Sequence, residues 1–283
     1  MKSIYILITL TLLLFSFVNS IFCIQLVDSS SNSNSNSNSN SNSNNRIRIN
    51  NNNYNNIYNR YNINNRYNTN TDPVLGVDVN TTIPKESIQC LNQQNNIDYM
   101  VVNCWNEHGF GNPSCPPNIK LAMTNNITLV DLSIKICYHC GEAFFQANAL
   151  VVFLQTRLPL LNPNFIAWID MSQPGQWAQN DQQANNNYFT QFVNIINVKG
   201  GFPVGIFTTM SAWQEIMGPQ YTAGSSYPLY YSQDDGDTSF QDFVPFNGWT
   251  TPTMKQYKTQ QNICQVNVNF DFQLPSSTIP KLK

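Results

Sequence analysis

The chain has 283 residues, with 14 lysines and arginines against 16 aspartates and glutamates, a net charge of −2, and only 11% charged residues. Such a balance offers no basic face for nucleic acid and no cationic character for disrupting membranes. The length suffices for one sizeable core plus terminal segments.

Met1 to Ser20 carries one early positive residue, Lys2, and an apolar run from Ile4 to Val18. That run falls short of the about 20 residues that span a bilayer, so it reads as a secretory signal peptide with cleavage after Ser20 or as late as Cys23. The expected destination is outside the cell or an endolysosomal or phagosomal lumen, with no membrane span in the remainder. Residues 29–71 are Ser-Asn repeats followed by Asn-rich text. Without apolar periodicity they cannot bury enough surface to offset chain entropy and are expected to form a disordered spacer.

Composition changes at Asp72-Pro73, and residues 72–273 read as one domain, followed by a tail, 274–283. Eight strand candidates follow in order: Leu75–Asn80, Tyr99–Trp105, Thr128–Ile136, Phe165–Met171, Phe202–Met210, Tyr227–Ser232, Met254–Tyr257 and Cys264–Phe272. Helical faces lie between them. Phe144, Ala147, Val151 and Leu154 form one, and Phe189, Phe192, Val193 and Ile196 another. Alternating strands and helices predict an α/β fold with a parallel sheet, and about eight strands predict a barrel. After Tyr227 the helical signals fade, so the last third is expected to close the barrel as a meander. A closed barrel leaves no free edge, and a monomer is expected.

If Cys23 leaves with the signal peptide, six cysteines remain, Cys90, Cys104, Cys115, Cys137, Cys140 and Cys264. In an oxidising compartment these read as disulfides with 15 formal pairings. Proximity favours Cys137 with Cys140. A zinc reading of Cys137-Tyr138-His139-Cys140 lacks a second Cys/His pair, so no metal is expected. Asn80 and Asn126 head sequons eligible for glycosylation.

Barrel chemistry gathers at the C-terminal strand ends. Asp78 and Asp170 both interrupt apolar strands, where an acid is costly unless it faces a cleft or has partners. Glu107, Asp131, Asp234, Asp235, Asn267 and Asn269 also lie near strand ends or within strands. Trp105, Trp168, Trp177, Tyr230 and Tyr231 are aromatic candidates for stacking faces, with Trp168 and Trp177 equally suited to a core.

These residues resemble the glycoside hydrolase family 25 lysozymes, in the branch found in amoebae and nematodes. The resemblance rests on "GVDVN", "YMVVNCW", "TLVDLSIKICYHCG", "FIAWIDM", "GQWAQNDQQANNNYFTQFV", "GGFPVGIFTTMSAWQEIMG", "YPLYYSQDDGDTSFQDFVPFNGWTTPTMKQY" and "NICQVNVNF". It implies a flattened, TIM-like β/α barrel with an incomplete helical ring. It further implies cleavage between N-acetylmuramic acid and N-acetylglucosamine in bacterial peptidoglycan, without a cofactor. Asp78 matches the family's first aspartate and Asp170 the aspartate of an Asp-x-Glu pair, as catalytic positions. The paired glutamate position holds Ser172, and the last-strand acid position holds Asn267, followed by Asn269. Ser133 stands where an aromatic is usual after Asp131, and Gln233 and Asp234 replace an expected His and Tyr. Trp105, Glu107, Asp131, Tyr231 and Asn269 are the expected substrate contacts. A serine cannot deliver a proton as the glutamate would, so the resemblance implies either a weakened lysozyme or an inactive relative that binds peptidoglycan or a related glycan.

Overall fold

The structure, a computed structural model, describes residues 74–127, 129–158 and 165–273. The proposed signal peptide, spacer and tail lie outside the described residues. Eight strands close into a barrel in sequence order: β1 (Val74–Val79), β2 (Tyr99–Trp105), β3 (Leu129–Lys135), β4 (Ala167–Asp170), β5 (Val204–Thr208), β6 (Leu229–Ser232), β7 (Met254–Ile263) and β8 (Val266–Gln273). Neighbours from β1 to β7 pair in parallel, whereas β8 runs antiparallel to both β7 and β1.

Five helices follow the first five strands: α1 (Lys85–Asn95), α2 (Cys115–Thr124), α3 (Ala143–Arg157), α4 (Gln182–Asn194) and α5 (Met210–Met217). A π-helical turn, Ile195–Lys199, extends α4. β6 reaches β7 without a helix, so the ring is incomplete. The expected meander is corrected in part: β6 and β7 remain parallel, and only β7–β8 is a hairpin. β7 is also longer than the sequence pattern indicated, because Lys258 to Ile263 continue its ladder with β8 through irregular register.

The helical faces obey the 3.6-residue period with one exception. Phe189, Phe192, Val193 and Ile196 are all buried, as are Ala147, Val151 and Leu154. Phe144, expected on the inner face of α3, is 46% exposed. It lies at the helix start, where Ala143, Gln146, Ala147 and Leu150 define the buried side. The short helix α1 was silent in the sequence because only Ile88 and Leu91 are large and buried among its Gln and Asn residues.

Two apolar layers result. The larger packs helices against the outer barrel wall, and the smaller fills the lumen with Tyr99, Val101, Ile166, Trp168, Tyr230 and Met254. Glycines make that filling possible. A Cβ at Gly76 would run into the Tyr99 ring, and one at Gly205 into the Trp168 ring. The barrel is therefore a packed core with its chemistry confined to one mouth.

Three disulfides join Cys90 to Cys264, Cys104 to Cys115, and Cys137 to Cys140 as the local spacing suggested. The first ties α1 to the turn between β7 and β8. Asn80 and Asn126 are both exposed. Among the described residues no helix is long and apolar enough to cross a membrane. No group of three or more His, Cys, Asp or Glu among them is placed to hold a metal ion.

Candidate active site

The C-terminal mouth of the parallel strands gathers Asp78 from β1, Lys135 from β3 and Asp170 from β4. Asp78 accepts from Gln256 Nε2 at 2.6 Å, Tyr230 Oη at 3.2 Å, and Asn269 Nδ2 at 3.0 and 3.1 Å to its two oxygens. Gln256 and Asn269 stand on β7 and β8, so the carboxylate bolts the closing hairpin to the first strand. Burial away from water raises the Asp78 pKa above the usual carboxylate range, the three donors pull it back in part, and the charge of Asp170 pushes it up.

Asp170 ends β4, and Ser172 turns back onto it. The Ser172 backbone N–H and hydroxyl both donate to Oδ1, at 3.0 and 2.6 Å. Burial raises the Asp170 pKa; Ser172 and then Lys135 lower it, and Glu107 raises it. Lys135 is the register partner of Asp170 on the adjoining strand, and its Nζ lies 3.9 Å from Glu107 Oε2. Asp78, Asp170 and Glu107 thus form an acidic arc with one lysine set into it.

A further acid lies beneath them. Asp271 on β8 is fully buried, and its Oδ1 shares the single Tyr230 hydroxyl proton with Asp78 Oδ2, so Tyr230 bridges the two carboxyls. Burial, with repulsion from Asp78, lifts the Asp271 pKa well above the ordinary value, and its neutral form is favoured. Asp271, Gln256 and Lys135 were not among the residues singled out in the sequence. The alternation in "VNVNFDFQ", with Asn269, Asp271 and Gln273 on one face, was the available signal for Asp271.

The structure places four of the expected substrate or catalytic positions away from the barrel mouth. Asp131 points into the lumen but four residues, about 13 Å at 3.3 Å per residue, below Lys135. It accepts Ile166 N–H at 2.8 Å and Trp168 Nε1 at 3.0 Å, clamping β3 to β4. Trp105 is buried outside the barrel against Phe153 of α3, because register shifts between Asn103 and Trp105. Tyr231 faces away from the lumen, with its hydroxyl on Asp242 and its ring against Phe240 and Phe243. Asn267 is exposed on the β7–β8 hairpin and accepts from Asn262, so Asn269 rather than Asn267 meets Asp78. Trp168 and Trp177 are core residues. Asp235 binds buried Lys255 and Asp234 accepts from Thr259; both brace the loop after β6.

A closed eight-stranded β/α barrel with carboxylates converging at the C-terminal mouth has them where barrels of this kind carry their functional sites. The family model described as Lysozyme-like protein 1 matches residues 68–257. "Probable GH family 25 lysozyme 2" of Dictyostelium discoideum is 32% identical over 200 residues, covering 70% of this chain and 90% of its own. "Lysozyme-like protein 5" of Caenorhabditis elegans is 25% identical over 203 residues, again covering 70% and 90%. Among solved structures, a family GH25 lysozyme from Aspergillus fumigatus superposes with a TM-score of 0.58 at 14% identity, covering 73% of this chain and 96% of that one. The chain belongs to the glycoside hydrolase family 25 lysozymes.

Proposed function

We propose that the protein is a lysozyme that hydrolyses the bond between N-acetylmuramic acid and N-acetylglucosamine in bacterial peptidoglycan, and that its N-terminal segment directs it out of the cell or into an endolysosomal or phagosomal lumen. The observation that carries this reading is the Asp170 carboxylate at the barrel mouth. Its Oδ1 is held by two donors from Ser172, and its Oδ2 has no hydrogen-bond donor among the described residues. A carboxylate held in that way can support an oxocarbenium-like centre, or orient the substrate's acetamide to do so. Asp78 is saturated with donors and acts by positioning, fixing the floor of the cleft.

Ser172 in direct contact with Asp170 favours a second reading, a relative that binds the glycan without cleaving it. One comparison separates the two. Purified protein is incubated with insoluble peptidoglycan, and new reducing ends are identified by sugar, beside the Asp170→Asn and Ser172→Glu variants. The lysozyme reading expects N-acetylmuramic acid reducing ends from the wild type and loss of about 10²-fold or more in Asp170→Asn. Binding to the sediment with no turnover, and turnover appearing only in Ser172→Glu, would establish the second reading instead.

A further inference from the structure

Hydrolysis needs a proton donor for the departing glycosidic oxygen, and the three carboxyls nearest the floor of the site are poorly placed to supply it. Asp78 accepts from Gln256, Tyr230 and Asn269. Asp271 lies under Tyr230, sealed from the mouth. Asp170 has one oxygen occupied by Ser172 and is the group that supports the cationic centre.

We propose that Glu107 is the proton donor of this lysozyme, taking over from the loop beyond β2 the task that Ser172 cannot perform. The inference rests on the lysozyme reading above and deepens it. Its first support is position. β2 and β4 are separated by one intervening strand, hence by about 9–10 Å. Lys135 rises from that intervening strand beside Asp170 and contacts Glu107 at 3.9 Å. The single Lys135 side chain thus links the two acids, in contact with Glu107 and in register with Asp170, and the Glu107 charge is felt at Asp170. Glycosidase acid pairs work at separations of roughly 5–9.5 Å.

The second support is rigidity. Glu107 sits in a turn that the sequence ties down at many points. Asn106 N–H donates to Phe110 O at 3.0 Å and Gly109 N–H to Asn106 O at 3.0 Å, with Gly109 at φ +79°. The Asn106 side chain caps His108 N–H at 3.0 Å, and the Cys104–Cys115 disulfide closes the base of the turn. The side chain remains 42% exposed, so a sugar can reach it. A preorganised turn with one accessible carboxyl is a suitable carrier for a proton donor, since geometry sets how much such a group contributes.

In the step, the Glu107 carboxyl gives its proton to the glycosidic oxygen as the C1–O bond breaks and its electron pair leaves with that oxygen. Asp170, or the acetamide oxygen it orients, supports the electron-poor C1. Water then adds to C1 and returns one proton to the Glu107 carboxylate, and the enzyme is restored. Lys135 and Asp170 are the charged groups facing Glu107, and Lys135 holds its carboxylate in place.

The test uses the full chain and insoluble peptidoglycan, with Glu107→Gln and Glu107→Asp variants and folding checked by circular dichroism. Glu107→Gln is expected to lower kcat by about 10²–10⁴-fold with sedimentation on peptidoglycan unchanged. The fall in rate on the alkaline side of the wild-type profile should vanish, and Glu107→Asp should restore part of the activity. Wild-type-like turnover in Glu107→Gln would overturn the assignment while leaving the lysozyme reading intact. So would a loss of turnover that keeps the alkaline limb, which marks a merely structural role. A wild type that releases no reducing ends would overturn both.

Discussion

Replacing Asp131 by alanine tests whether this acid is a clamp or a ligand. Its carboxylate accepts one backbone donor, Ile166 N–H at 2.8 Å, and one indole donor, Trp168 Nε1 at 3.0 Å, and the residue is 3% exposed. A hydrogen bond to a charged group contributes about 1.5–3 kcal/mol. Losing two gives roughly 3–6 kcal/mol, because both donors are then left buried without that partner. Relief from burying the carboxylate offsets part of this, so a net loss of about 2–4 kcal/mol is expected. For a domain of this size that corresponds to roughly 5–15 °C in Tm. Urea titration followed by tryptophan fluorescence reads the loss, and sedimentation with peptidoglycan at a temperature where the variant is folded reads binding. Asp131→Asn keeps one acceptor but turns an amide N–H₂ toward the other donor, and should fall between. Stability within about 1 kcal/mol of wild type together with weakened glycan binding would refute the clamp and return Asp131 to the substrate.

Two further predictions concern stability. The folded pKa of Asp271 lies well above its unfolded value, so its contribution favours folding at low pH and is lost as pH rises through the folded pKa. Each unit of that difference costs about 1.4 kcal/mol once the group must ionise, and Asp271→Asn should flatten the decline between mildly acidic and neutral pH. Equal declines in both proteins, measured by urea titration at several pH values, would contradict this. The Cys90–Cys264 bridge spans 174 residues and Cys104–Cys115 spans 11. Chain-entropy estimates give about 5 and 3 kcal/mol respectively, so paired alanine variants should lose more stability at the first bridge. The reverse order would refute loop closure as the dominant effect.

The order of the eight strands was legible because each is a short apolar run between turn or helix signals, and "FIAWID" or "YMVVNCW" retains that character in isolation. What the sequence could not supply was which way individual side chains point near the mouth. Period 2 makes Asn103 and Trp105 share a face, yet one register shift sends Trp105 out against α3. Tyr230 and Tyr231 are chemically alike and adjacent, so either could face the lumen; the register of β6 puts Tyr230 on Asp78 and Tyr231 on Asp242. The β7–β8 hairpin poses the same problem. The resemblance set the acid position at Asn267, but the pairing of Asp78 with Asn269 places Asp271 one lumen layer below and Asn267 beyond the rim. A one-residue error in parity moves a side chain to the other face, whereas a two-residue error keeps the face and shifts the layer by about 7 Å. Both errors exceed hydrogen-bond reach. Strand order survives them because it depends on whole apolar runs, while the site depends on single residues; family membership could therefore be read before the positions of Glu107, Lys135 and Asp271 could.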